Sequence, residues 1–203
     1  MKAKIGMIRM VVGAGLVLLA AGSAPGQGSM ANASFEDSTA WLYSENDPYG
    51  KFSGGYSTAW ASSGSRSYLL YRGTGYNGGG GWWGQIQQSG VDLTGVGTIL
   101  FDVHAIGVDM NYLRWYVDSS LVGQYYVNSP SWGGVVDRFK IPVDVSAYTG
   151  AHSLTIRMCS DGDTGPADPK YYFLDNIRAI PEPATLSLIA LGSIALFWRR
   201  HAA

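Results

Sequence analysis

Cysteine is almost absent from these 203 residues: Cys159 stands alone, so no intrachain disulfide can form. Three histidines, one of them near the C-terminus, leave little to build a metal or acid–base centre, and no zinc-type spacing occurs. Charge is equally sparse. Only 14% of residues are charged and the net charge is −1, which excludes the basic field that a nucleic-acid binder needs. No nucleophile elbow and no glycosidase-type acid pair can be read. Asp102 and His104 share one face of a strand, but no nucleophile or second base can be placed beside them. Binding rather than catalysis is the expectation. Internal repeats are lacking too. The one low-complexity piece, Gly78-Gly79-Gly80-Gly81, runs into Trp82-Trp83 and a strand rather than a helix, so it is not a phosphate cradle.

What is abundant is glycine and aromatic side chain: 28 Gly, 13 Tyr and 7 Trp. This composition suits short strands joined by turns. Between the two ends no stretch has helical period and length. Strands are predicted at 33–36, 52–60, 66–72, 82–88, 97–106, 111–118, 121–127, 134–143, 152–159 and 171–179. Residues 44–51 are predicted as a polar loop, and 144–150 as the sole candidate for a helical turn. The alternation is plain in 111–118, where Leu113, Trp115 and Val117 oppose Tyr112, Arg114 and Tyr116. In 152–159, Leu154, Ile156 and Met158 oppose Thr155, Arg157 and Cys159, which makes Cys159 a shielded, inert thiol. Trp41, Trp60 and Trp115 are predicted to be core. Many short antiparallel strands imply an all-β sandwich or jelly roll.

Both ends are greasy. Lys2, Lys4 and Arg9 precede a short apolar core and then Gly22-Ser23-Ala24, the pattern of a secretory signal peptide over residues 1–28, cut between 24 and 30. At the other end, Pro181-Glu182-Pro183 leads into an apolar run and then Arg199-Arg200-His201. About fifteen residues there carry no charge, a short transmembrane helix whose arginines stay cytoplasmic. The order of these three parts, over 180–203, resembles the PEP-CTERM sorting tail. That resemblance implies export, transient anchoring in the inner membrane, and processing by an exosortase-type enzyme, with delivery to the cell surface or the exterior. The exported body, 31–179, is then one domain with room for a real core.

A second resemblance covers most of that body. Asn32-Ala33-Ser34-Phe35-Glu36, Val91-Asp92-Leu93-Thr94-Gly95, Val143-Asp144-Val145-Ser146 and Phe173-Leu174-Asp175-Asn176-Ile177, in that order, resemble the motifs of galactose-binding-like jelly rolls, including carbohydrate-binding modules. In those modules acids of the first and last strands meet at one structural calcium ion. The resemblance therefore implies Ca2+ at Glu36 and Asp175, completed by backbone carbonyls near Ser34 and a loop acid such as Asp37. Asp161-Gly162-Asp163-Thr164 lacks a full ligand series and reads as a polar turn.

Sugars present flat apolar faces ringed by hydroxyls, so aromatic platforms flanked by amides suit them. Tyr76, Trp82, Trp83 and Trp132 lie in or beside glycine-rich loops, and Gln85 and Gln87 share a strand face with Trp83. Alternation points one of Trp82 and Trp83 inward. The expectation is an exported jelly roll that binds or organises exopolysaccharide. A purely structural matrix protein, or a degradative enzyme with two apposed acids, are the alternatives.

Overall fold

The computed structural model describes residues 30–31, 33–73, 81–107, 112–126, 134–159 and 169–182. Ten strands account for most of them: Leu42–Asn46 (β1), Phe52–Ser57 (β2), Ser67–Arg72 (β3), Trp83–Asp92 (β4), Val96–Ile106 (β5), Tyr112–Val117 (β6), Ser120–Tyr126 (β7), Val135–Asp144 (β8), Ala151–Cys159 (β9) and Lys170–Pro181 (β10). They form two antiparallel sheets ordered β1-β4-β9-β6-β7 and β2-β3-β10-β5-β8. The predicted all-β sandwich is therefore the fold.

One phase of each strand fills the space between the sheets. Ile86, Leu113, Trp115, Leu154, Ile156 and Met158 come from the first sheet, and Leu70, Ile99, Phe101, Val103, Tyr172 and Leu174 from the second; all are buried. Phe101 and Trp115 meet across the gap with ring centroids 4.6 Å apart. Each buried aliphatic or aromatic side chain contributes about 1.5–3 kcal/mol, so this layer supplies the main driving force.

Several sequence expectations need correction. Residues 33–36 are a turn, not a strand: Phe35 takes φ 56° and inserts its ring against Trp41 and Tyr68, while the Ala33 carbonyl accepts from Ile177 N–H at 2.9 Å. Residues 44–51 are not all loop. The polar run hid the second half of an edge strand, β1, whose outward phase is Leu42, Ser44 and Asn46. The predicted helical turn at 144–150 is one tight turn, closed by Tyr148 N–H to the Val145 carbonyl at 3.0 Å. Trp41 and Trp115 are core as predicted. Trp60 is not: it lies half-buried on the second sheet's outer side, stacked on His104 at 5.3 Å with ring planes 17° apart. The expected signal and anchor helices lie outside the described residues. Among those described, no helix is long and apolar enough to cross a membrane.

The segment bearing Trp60 continues over the outer side of the second sheet and is tied down by carboxylates. Asp175 on β10 faces Asp102 on β5 in register. One Asp175 oxygen accepts from the N–H groups of Ser62 and Ser63 at 2.7 and 2.8 Å. The Ser62 hydroxyl lies 2.7 Å from Asp102 and 3.1 Å from Asp175. Asp102 also accepts from Lys140 N–H and the Asn176 amide. Burial works against the charge on both acids. At Asp102 the bonds from Lys140, Asn176 and Ser62 prevail and hold the carboxyl below its usual range, whereas at Asp175 burial prevails and pushes it up. Ser62 thus bridges two buried acids whose carboxyls are shifted in opposite directions. Glu36 completes the clamp by accepting from Ser65 N–H and hydroxyl and from Arg66 N–H. Gly64 sits beside it at φ +69°, where a Cβ would collide with the Glu36 carboxylate.

The two ends of the sandwich differ. At one end Pro181 pairs with Val96, and Glu182 N–H donates to the Gly95 carbonyl at 2.9 Å. The same end carries the β6–β7 turn, where Asp118 accepts from Ser153 N–H at 3.0 Å and lies 3.0 Å from His152 Nδ1. The other His152 nitrogen faces the Thr149 carbonyl. The connections β3–β4, β5–β6, β7–β8 and β9–β10 all leave from the opposite end.

Ser62→Ala removes the bridging hydroxyl from two buried acids and is expected to cost about 1–3 kcal/mol; an unchanged thermal midpoint would exclude that role. Both His152 nitrogens face acceptors, so the imidazolium is favoured and its pKa is raised above 6.5, first by Asp118 and then by Thr149, while Asp118 is held below 3.8 mainly by Ser153 N–H. The histidine's contribution is present below pH 6.5 and is lost as pH rises through its raised value. The aspartate's is present above pH 3.8 and is lost as pH falls through its lowered one. An NMR titration should therefore place His152 above 6.5, and Asp118→Asn should bring it back down.

Candidate functional site

The inner phase of the first sheet is fixed by the core, so the other phase must face outward. Register then aligns the strands into rows. Asn46, Trp83, Cys159, Tyr112 and Tyr126 form one row; Ser44, Gln85, Arg157, Arg114 and Gln124 form the next; Leu42, Gln87, Thr155, Tyr116 and Leu121 form a third. A polar row with two guanidinium groups thus runs across the sheet between two rows containing aromatic rings.

Arg157 is its centre. Its guanidinium lies 4.2 Å from the Trp83 ring centroid and 4.7 Å from that of Tyr116, and its Nε donates to the Gln85 carbonyl at 2.8 Å. The Gln85 amide in turn donates to the Ser44 hydroxyl at 3.1 Å. Arg114 Nε donates to the Gln124 carbonyl at 2.8 Å, and its guanidinium lies 5.6 Å from the Tyr112 ring. Tyr112 and Tyr126 pack at 5.3 Å between centroids, with Tyr126 still 42% exposed. Arginine held between two rings loses little freedom when it takes a ligand, because its fork of N–H donors is already aimed. The face therefore offers fixed donors next to partly exposed rings.

The sequence-predicted residues divide. Trp83 and Gln85 are on this face, as is Gln87. Trp82 is not: it packs partly buried against the core, edge-on to Tyr49 at 6.1 Å. Alternation had required one of the two tryptophans to turn inward, and it is Trp82. Tyr76 and Trp132 lie outside the described residues. Tyr112, Arg114 and Tyr116 join the site as a stripe. Cys159 is buried within the aromatic row, at 2% exposure. Ser44, Gln124, Tyr126 and Arg157 were not singled out. The phase of Arg157 was readable from the sequence, but its neighbours were not, since they depend on register.

Glu36 and Asp175 both hold the 62–66 segment. The Glu36 oxygens accept from Ser65 N–H, Arg66 N–H and the Ser65 hydroxyl; those of Asp175 accept from the N–H groups of Ser62, Ser63 and Asn176 and lie within reach of the Ser62 hydroxyl. Among the described residues no three His, Cys, Asp or Glu gather at one point. A calcium ion needs six to eight oxygens with lone pairs free, and N–H protons aimed at the carboxylates repel a cation. This donor set does not fit the ion.

The fold is similar to that of carbohydrate-binding β-sandwich modules. A structure described as showing the promiscuous specificity of carbohydrate-binding modules from the β-sandwich superfamily matches with TM-score 0.51 and 14% identity, over 76% of this chain and 63% of that one. TmCBM61 in complex with beta-1,4-galactotriose matches with TM-score 0.48 and 15% identity, over 77% and 99%. A cyclase from Fischerella sp. TAU is also similar, with TM-score 0.47 and 16% identity, over 76% and 98%. No curated protein of similar sequence matches the chain. Residues 179–200 match the PEP-CTERM protein-sorting motif. The chain therefore carries a tail that implies export, membrane-anchored sorting and processing by an exosortase-type enzyme.

Because N–H and O–H donors serve Glu36 and Asp175, a thermal melt should be the same with and without chelator. A fall in the midpoint on chelation would show that these carboxylates hold a cation after all.

Proposed function

We propose that this chain is an exported binding module for exopolysaccharide, and that the outer face of the first sheet is where the glycan lies. The observation that carries the reading is the clamped Arg157, fixed between Trp83 and Tyr116 and wired through Gln85 to Ser44. Sugar hydroxyls would meet the polar row, and the apolar faces of the rings would meet Trp83, Tyr112 and Tyr126. The sorting tail supports placement at the cell surface or in the surrounding matrix, after a stay in the inner membrane. A binding role fits better than hydrolysis. The apposed acids Asp102 and Asp175 are 3% and 0% exposed beneath the 62–66 segment, where no polymer reaches them. A glycosidase needs two carboxyl groups open to the bond on either side.

Affinity electrophoresis of the full chain against neutral and acidic polysaccharides tests this. Retardation by at least one polymer is expected, weakened about two- to tenfold by Trp83→Ala or Tyr112→Ala if each stacks on one sugar ring. Trp82→Ala should alter stability rather than retardation. Absence of retardation across the panel would leave a purely structural role.

A further inference from the structure

We infer that the sandwich latches the entrance of the sorting motif, so that processing waits for the end of β10 to come away. The inference concerns the tail and is independent of the glycan reading. Residues 179–200 carry the motif, yet β10 runs to Pro181. The first three residues of the motif are thus strand residues of the folded body: Ala179 pairs with Ile99, Ile180 with Thr98 and Pro181 with Val96. Glu182 then donates its N–H to the Gly95 carbonyl at 2.9 Å. Pro181 and Pro183 have no N–H, so this is the single backbone donor of the Pro-Glu-Pro triplet, and the body already holds it.

The start of β5 is shaped for this contact. Gly97 is the extra residue of a bulge, skipped between the pairs made by Ile180 and Pro181, and its carbonyl accepts from Val145 N–H at 3.1 Å. Glycine weakens a strand, and here a close approach accounts for it. A Cβ on Gly97 would come 3.1 Å from Glu182 Cγ and 3.4 Å from its Cα. Glu182 therefore lies in the room that the missing side chain leaves. The hold is local and shallow. Leu174, earlier in β10, is fully buried, whereas Arg178 and Ile180 are exposed. A cavity of about 280 Å3, lined by Met30, Ala33, Val96 and Pro181 among others, sits against this end. Such an end opens at a fraction of the free energy that unfolds the sandwich. An enzyme that takes hold of the triplet competes with β5 for it, and its apparent affinity falls in proportion to the detached fraction.

Hydrogen exchange on the full chain in detergent micelles reads the latch directly. The Glu182 amide should exchange at least about tenfold more slowly than in a free peptide spanning the motif. Gly97→Val crowds Glu182 and leaves the motif itself unaltered. It should remove that protection. In cells that export the chain alongside an exosortase-type enzyme, it should also speed conversion of the full-length form to the processed one by about two- to tenfold. Because a branched side chain at this position also perturbs β5, a Gly-Ser-Gly-Ser spacer between Ile180 and Pro181 serves as the second variant. It frees the triplet with every strand residue unchanged and should speed conversion likewise. A wild-type Glu182 amide that exchanges as in the free peptide would overturn the inference. So would conversion at an unchanged or lower rate in both variants. Faster conversion with the spacer alone, when Gly97→Val is folded and its Glu182 unprotected, would overturn it too, since the spacer also lengthens the tether.

Discussion

The constraint behind the whole molecule is the two-residue period of a strand packed on one side. Burying Ile86, the Leu113–Trp115 pair and the Leu154–Ile156–Met158 run leaves Trp83 and Gln85, Tyr112 and Arg114, and Arg157 no direction but outward. The core and the candidate site are thus two phases of the same three strands. A one-residue slip in β9 would bring Arg157 into the core and Ile156 onto the surface. Every interaction on the outer face is therefore protected by the free energy of the core itself, and needs little local stabilisation of its own.

The two outer faces of the sandwich are used in opposite ways. On the second sheet the 62–66 segment lies over the strands, and acids that would otherwise be exposed are buried and saturated with N–H donors from Ser62, Ser63 and Lys140. Such a network is worth having only if it is complete, because a buried carboxylate lacking donors costs several kcal/mol. The outward rows of the first sheet are unevenly exposed: Gln85, Thr155 and Cys159 are buried, whereas Tyr126 and Leu42 are exposed. Its polar side chains hold one another through Gln85, Ser44 and Gln124. The contrast is between acids held by a loop's N–H groups and arginines held by glutamine carbonyls and aromatic rings.

Much of this was legible in the sequence because alternation and turn residues are local signals. Nine of the ten strands matched runs with visible alternation, and the sorting motif rested on a short contiguous pattern. Three features were not local. β1 reads as loop because an edge strand with a solvated face needs few apolar residues. Trp60 reads as core because tryptophan is usually buried, whereas here a histidine ring supplies its shelter. The partners of Arg157 come from β1, β4 and β6, far apart in the chain, and only register joins them. Glu36 and Asp175 were expected to meet at a cation; what each accepts is the N–H groups of one loop, Ser65 and Arg66 for Glu36 and Ser62 and Ser63 for Asp175.

The pairing of Pro181 with Val96, extended by Glu182 to Gly95, leaves no spacer between the last strand and the sorting motif. Covalent geometry limits four residues, the distance in sequence from Glu182 to Leu186, to about 14 Å. Membrane-anchored sorting through this motif would hold the sandwich by the end at which β10 finishes. The row of Trp83, Tyr112 and Tyr126 belongs to the opposite end, some nine strand residues or about 30 Å along β4 from that base. The ring-bearing end of the sandwich is thus the end away from the sorting motif.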